Sequence, residues 1–353
     1  MNKKLVSVLQ YLLVFGLGIF LIWWQLRSLN TEQKAAFASS LEDANFWLVI
    51  PIVFMALASH LSRALRWKLL MEPLGFHPKT SNTFFTILIG YLANTAIPRL
   101  GEVLKCTFLA RYEKLPIDKL VGTMVVERVF DMVCYFLFIL ITVAMQVEVV
   151  GDFIWQMVKP VFSGSGSSVF FKLGIVLLLL LLIYAFLRFL FRTFPHNRIV
   201  KKLQLFYSHL WEGLISIKNL KRRRDFILHT LFIWAMYLLQ IYLGFFAMEG
   251  TSNLGIRAAF SVLTLVTLAM ILTPGGIGSF PVFVAKTLGI YAIASPVGIA
   301  FGWLMWGITT GIILVFGSLC LFLIPIINKP SKHESVIEHS GQNIQPGRAA
   351  KEN

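Results

Sequence analysis

The chain has 353 residues, of which 57% are hydrophobic and 14% charged, against roughly 45–50% apolar and 25% charged residues in soluble domains. Several apolar runs are long enough to cross a hydrocarbon core, which excludes an ordinary soluble fold and makes the bilayer the solvent. The formal net charge of +15 does not point to nucleic acid, because the basic residues mostly flank apolar runs and so mark topology.

The first run, Leu5–Leu26, follows Lys3 and Lys4 and ends at Trp23, Trp24 and Arg27. It is too long for a secretory signal and lacks a small-residue cleavage site, so it reads as a retained signal anchor. Further full spans are predicted at Phe46–Leu61, Val129–Val147, Phe170–Leu190, Ile227–Met248 and Trp303–Ile327. Thr83–Ile97 is different: it gives only about 22 Å of helix against a core of about 30 Å. It runs into Pro98 and then resumes, so residues 82–112 read as a re-entrant hairpin. Ala258–Leu272 is equally short and breaks at Pro274-Gly275-Gly276, which makes 258–294 a second hairpin. Such breaks are tolerated at membrane depth where protein or water satisfies the freed backbone groups.

The remaining segments are polar or amphipathic. Ser163–Ser168 is a Gly/Ser run expected in a flexible external loop. Ile199, Leu203, Phe206, Leu210, Leu214 and Ile217 share one face of a cytoplasmic interfacial helix over 199–218. Residues 328–353 have the composition of a disordered cytoplasmic tail. The three cysteines, Cys106, Cys134 and Cys320, lack metal-ligand spacing and read as small buried hydrophobes. No metal site and no cofactor are expected.

The expected fold class is therefore an all-α polytopic membrane protein with about six full spans plus two re-entrant broken-helix hairpins. Of 32 Lys and Arg residues, 26 fall on the amino-terminal side of that scheme, which places both termini in the cytoplasm and fits a bacterial inner membrane. Residues 1–150 and 151–327 each hold three crossings and one hairpin, and Pro98 and Pro274 correspond in the two halves. An odd number of crossings inverts the second half, giving the inverted repeat of transporters whose sites form where broken helices meet.

The densest polar constellation is Asn94, Pro98, Arg99, Gly101 and Glu102 at the first break. The helix that resumes there presents unpaired N–H groups that favour an anion, and Arg99 adds a planar fork of donors suited to phosphate. The plainer alternative is that Arg99 and Glu102, three residues apart, neutralise each other and hold the hairpin. At the second break, Pro274, Gly275, Gly276 and Gly278 let backbone approach a ligand closely, or simply make the turn. Glu127, Arg128 and Asp131 open the third predicted span, as support for the site or as interfacial ion pairs. Arg63 and Arg66 follow the second predicted span; they read as snorkelling anchors or as further support.

Taken together, Arg63-x-x-Arg66-Trp67, Asn94-x-x-x-Pro98-Arg99-x-Gly101-Glu102, Glu127-Arg128-x-x-Asp131 and Pro274-Gly275-Gly276-x-Gly278 resemble the flippase-like transmembrane family. That family is found as the membrane region of lysylphosphatidylglycerol synthases and as stand-alone proteins. The resemblance covers about residues 5–327. It implies translocation of lipid between leaflets. With the residues read above, the expected function is a flippase or exporter for an anionic or glycosylated lipid, its headgroup held between the hairpin tips and Arg99 on its phosphate. The chain departs from the family pattern at Ser279-Phe280-Pro281, where members carry an acidic residue. The short tail leaves no room for the aminoacyl-transferase domain of the synthases, so no enzyme is expected. A membrane-embedded enzyme or accessory acting on polyprenyl-phosphate-linked glycans or lipids, and a secondary transporter for a soluble anion, remain as alternatives. The expected partner is a membrane lipid, with a second copy of the chain or a lipid-modifying enzyme as further candidates.

Overall fold

A computed structural model describes residues 27, 29–97, 99–146 and 220–328. The predicted spans Leu5–Leu26 and Phe170–Leu190, the loop at 163–168, the interfacial helix at 199–218 and the tail beyond Asn328 lie outside these residues. Every regular element among the described residues is helical. They are α1 (Thr31–Glu42), α2 (Val49–Met71), α3 (Thr80–Ala96), α4 (Leu100–Glu113), α5 (Ile117–Met145), α6 (Arg223–Phe245), α7 (Ile256–Leu272), α8 (Ser279–Gly289) and α9 (Ser295–Ile327). Four stretches are long and apolar enough to cross a membrane: Phe46–Leu74, Ile117–Met145, Arg223–Phe245 and Ser295–Ile327. With α3–α4 and α7–α8 as broken-helix hairpins, the chain is an all-α polytopic membrane protein.

Both breaks arise from local chemistry. Ile97, which precedes a proline, is extended (φ −135°, ψ 116°) and ends α3. Arg99 then turns the chain through the left-handed region (φ 67°) before α4 begins. The second break runs through Gly275 and Gly276, both at positive φ, to Gly278 (φ 70°), which caps α8. Asn94 of α3 closes the first hairpin by accepting a hydrogen bond from the Gly101 N–H at 2.8 Å. This satisfies a donor that the start of α4 leaves free.

The long helix α9, about 50 Å from end to end, shows how the hairpins are disposed. Near its start Gly298 packs on Ala285 of α8, and Gly302 on Pro281. Farther along, Trp306 Nε1 donates to the Gly275 carbonyl at the second break at 2.8 Å. Then Gly317 packs on Leu88 and Leu92 of α3. At its far end, Asn328 exchanges hydrogen bonds with Asn82 at the base of the first hairpin, both at 2.8 Å. The two bases thus lie at opposite ends of α9 and the two tips meet between them, where a Cβ on Gly275 would sit 3.9 Å from that of Thr95.

α5 runs between the same two ends. It leaves the base of the first hairpin at Ile117 and finishes with Gln146 bonded to Ser261 of α7 at 2.9 Å. α2 and α6 lie side by side and antiparallel. Arg222 meets Glu72 at one end at 3.6 Å, and the Asn45 N–H donates to the Ala247 carbonyl at the other at 2.8 Å.

Three predicted boundaries are corrected. The last span starts at Ser295 rather than Trp303, because Gly298 and Gly302 lower the local hydropathy without breaking the helix. The second span does not stop at Leu61 but continues through Arg63 and Arg66 to Met71, and the third starts at Ile117 rather than Val129. Hydropathy cuts a span where charges appear, whereas charges paired across helices leave each helix free to continue. Cys106 and Cys320 are buried and Cys134 is half-buried, all as free thiols.

The arms of the first hairpin cross where both carry glycine, since a Cβ on Gly101 would collide with the Gly90 carbonyl and Asn94. Gly101→Ala should therefore force α3 and α4 apart and cost about 1–3 kcal/mol. Thermal unfolding in detergent will show a lowered midpoint for this variant and none for Gly122→Ala, where the added methyl meets nothing within 4 Å.

Candidate functional site

Glu127 lies about 15 Å along α5, itself about 44 Å long, and Asp131 one turn farther. Both therefore lie well inside α5 rather than at a span's entrance, where the sequence suggested they lay. A bare carboxylate at this depth is costly. Two other helices supply its partners. From α2, Arg63 Nη1 donates to Glu127 Oε1 at 3.1 Å and to Asp131 Oδ2 at 2.6 Å. One turn on, Arg66 Nη2 donates to Glu127 Oε1 at 3.3 Å and to Asp131 Oδ1 at 2.7 Å. From α4, Lys105 Nζ donates to Glu127 Oε2 at 2.7 Å.

Arg63, Arg66, Lys105 and Glu127 are all at most 5% exposed. The arginine spacing of three residues, met by carboxylates four apart, puts each set on one helical face. The snorkelling reading of Arg63 and Arg66 is thereby overturned, because their guanidinium heads point into the bundle. Hydroxyls and aromatic rings complete the shell. Tyr237 accepts from Arg63 at 3.2 Å, Thr230 from Arg66 at 3.3 Å, and Lys105 stands 4.5 Å over the Trp67 ring. Trp67 is fixed in turn by its indole N–H donating to Thr123 at 3.0 Å.

A narrow cleft of about 10 Å³ lies between α2, α5 and the two arms of the first hairpin, lined by Arg63, Tyr91, Asn94, Glu102, Lys105 and Arg128 among others. That is room for about one water. Glu102 accepts a long 3.4 Å contact from Asn94, while its other oxygen is buried without a partner. The Nε atoms of Arg63, Arg66 and Arg128 are likewise buried and unpartnered. Arg128 makes one weak contact, 4.0 Å to Asp131, as its spacing on α5 suggested.

The sequence-predicted residues thus divide. Asn94, Gly101, Glu102, Arg63 and Arg128 line the cleft, and Arg66, Glu127 and Asp131 lie directly behind it. Arg99 is exposed at the hairpin tip, with no ion pair to Glu102, so mutual neutralisation of those two residues is not what holds the hairpin. Pro98 lies outside the described residues. Pro274, Gly275, Gly276 and Gly278 do not line the cleft; they form the second tip, which rests on Thr95 and Trp306. Lys105, Tyr91 and Tyr237 escaped the sequence reading. Lys105 leaves a signal in the sequence, a lone lysine one turn beyond Glu102 on the second arm of the hairpin, but by position alone it is indistinguishable from a flanking topology charge.

A family model described as the lysylphosphatidylglycerol synthase TM region matches residues 8–329. The UPF0104 membrane protein MJ1595 of Methanocaldococcus jannaschii is 22% identical over 247 residues, covering 66% of this chain and 71% of that protein. No solved structure matches.

The network makes a sharp demand on stability. Glu127→Gln leaves three buried cations facing a neutral amide and should cost about 3–5 kcal/mol, whereas adding Lys105→Met removes one of those cations and should restore part of the loss. Arg99→Gln, at an exposed position, should stay within about 0.5 kcal/mol of the parent. Folded yield and thermal midpoint in detergent for the three variants check this. A double variant no better than Glu127→Gln alone would mean that Lys105 and Glu127 are energetically independent.

Proposed function

Because the chain belongs to the lysylphosphatidylglycerol synthase transmembrane-region family, we propose that it moves a lipid with an anionic or glycosylated headgroup between the leaflets without changing its covalent structure. The observation that carries this reading is the meeting of two opposed hairpin tips in the middle of the bundle, beside a buried cluster of cations. Opposed broken helices give two equivalent ways of opening a central site, one toward each face, which is the geometric requirement of alternating access. Arg99, exposed at the first tip, is placed to meet a headgroup phosphate first, and the cations behind it offer the charge that draws the group inward. The acyl chains stay in the bilayer, so only the headgroup needs a polar route.

The charge distribution supports a cytoplasmic position for the base of the first hairpin. Lys68, Lys79, Lys114, Arg222 and Arg223 cluster at that end, while Arg257 and Glu249 lie at the other. The positive-inside rule then puts the second hairpin's base outside.

Reconstituted into vesicles carrying a fluorescent phosphatidylglycerol, the protein should speed leaflet exchange above that of protein-free vesicles and leave the lipid's mass unchanged. A new covalent product would instead favour a membrane-embedded enzyme, and exchange at the protein-free rate would remove the proposal. The tips provide a more specific test. The 3.9 Å between Cβ positions at Thr95 and Gly275 falls in the window of about 3.5–4.5 Å that a disulfide needs. In a background with Cys106, Cys134 and Cys320 replaced by alanine, Thr95→Cys with Gly275→Cys should cross-link on oxidation. Exchange should then stop, and return on reduction. Unaltered exchange in the cross-linked protein would show that the tips need not part.

A further inference from the structure

The cleft residues and the network behind them carry a charge imbalance. Arg63, Arg66, Lys105 and Arg128 supply four positive charges; Glu102, Glu127 and Asp131 supply three negative ones. Arginine does not lose its proton in proteins, and Lys105 is held against a carboxylate at 2.7 Å. With His60, whose ring lies 5.0 Å from that of cleft-lining Tyr91, counted as neutral, one net positive charge is left inside the bundle, where uncompensated charge is costly. The unused donors are in the same place. Arg63 lines the cleft and is 5% exposed, yet its Nε has no partner. Arg128, whose side chain is 36% exposed, also has a buried Nε without a partner, and Lys105 spends one of three donors on Glu127. The excess charge and the spare donors converge between α2, α5 and the first hairpin, not on the exposed Arg99.

We infer that this cleft is a selective site for a singly charged phosphodiester, bound by Arg63, Lys105 and Arg128, with Glu102 setting the charge the site accepts. One phosphodiester brings the cluster to neutrality, whereas a phosphomonoester carrying about two charges overshoots it. Glu102 is the group that enforces the difference: it adds no strong hydrogen bond of its own, its nearest contact being the 3.4 Å one to Asn94, and removing its charge leaves room for a second negative charge. At about 10 Å³ the cleft is too small for a phosphate, so binding requires the first hairpin to draw back from α2 and α5. The inference deepens the translocation reading, and rests on it only for the assignment of the anion to a lipid.

Equilibrium binding to the purified full chain in detergent tests the charge rule. The probes are dioctanoyl-phosphatidylglycerol, dioctanoyl-phosphatidic acid and dioctanoylglycerol, which share tails and differ in phosphate charge. The parent should prefer phosphatidylglycerol and ignore the neutral lipid. Arg128→Gln, whose single ion pair is weak enough to lose without unfolding, should bind phosphatidylglycerol about thirtyfold or more weakly. Glu102→Gln should do the reverse, binding both anionic lipids more tightly and gaining most for phosphatidic acid. Lys119→Gln, which removes an exposed charge outside the cluster, should bind as the parent does. Dimethyl phosphate, the same anion without tails, identifies the source: equal competition points to a soluble phosphodiester, weaker competition to a lipid. If Arg128→Gln and Glu102→Gln bind phosphatidylglycerol alike, or Glu102→Gln binds it less tightly, the inference is overturned. Charge-dependent binding without leaflet exchange in vesicles would leave this site standing and remove the translocation proposal, and exchange that ignores both variants would do the opposite.

Discussion

Glu127 is held by three cations from two other helices in the middle of an apolar bundle, and much of the structure follows from satisfying it. An isolated carboxylate there would not stay ionised, and isolated arginines would not stay inserted. Once α2, α4 and α5 share their charges, each can be long and continuous across a depth where its own sequence looks too polar. The same pairing fixes the rotation of all three helices, because Arg63 and Arg66 lie on one face of α2 and Glu127 and Asp131 on one face of α5. Registry is a well-attested use of buried ion pairs, whose net contribution to stability is often small.

The two hairpins are alike in plan but are held by different means. α9 lies against both through small residues, with Gly298 and Gly302 on α8 and Gly317 on α3, the close backbone approach by which membrane helices associate. α5 meets the first hairpin through Lys105 and Glu127 and the second through hydroxyls and amides. Tyr135 donates to the Thr264 carbonyl at 2.8 Å, Thr142 bonds Thr264 at 2.8 Å, and the Gln146 amide bonds the Tyr291 hydroxyl. A seam of glycines has no substitute partner, whereas polar contacts can be exchanged for water or a headgroup. The cleft lies on the polar side of the first hairpin, where Lys105 meets Glu127.

Of the sequence-predicted residues, Asn94, Gly101, Glu102, Arg63 and Arg128 line the cleft, and Lys105 lines it with them without having been among the candidates. Asn94, Gly101 and Glu102 were legible because a proline and glycine break in an apolar run, with charges beside it, is rare unless the backbone is needed there. Arg99 drew attention for its charge, yet the left-handed turn that starts α4 leaves it exposed at the tip, while Lys105, one turn past Glu102 on the inner face, takes the central position. Arg63, Arg66, Glu127 and Asp131 were visible as two pairs, each placed at a membrane boundary. What joined them was a contact across 61 to 68 residues of sequence, which no local pattern encodes.

Composition and run length alone determined that this is an all-helical membrane protein with four of its crossings at α2, α5, α6 and α9, and with two helices broken at Pro98 and at Pro274-Gly275-Gly276. Those features are local: about 20 apolar residues must cross as helix, and proline and glycine interrupt a helix wherever they stand. Only the tertiary structure decided that the two tips meet, that the charges beside them sit in the interior, and that cations outnumber carboxylates there. Each of these depends on which helix faces which, and a charge's surroundings, unlike its helix, are supplied by residues far away in the chain.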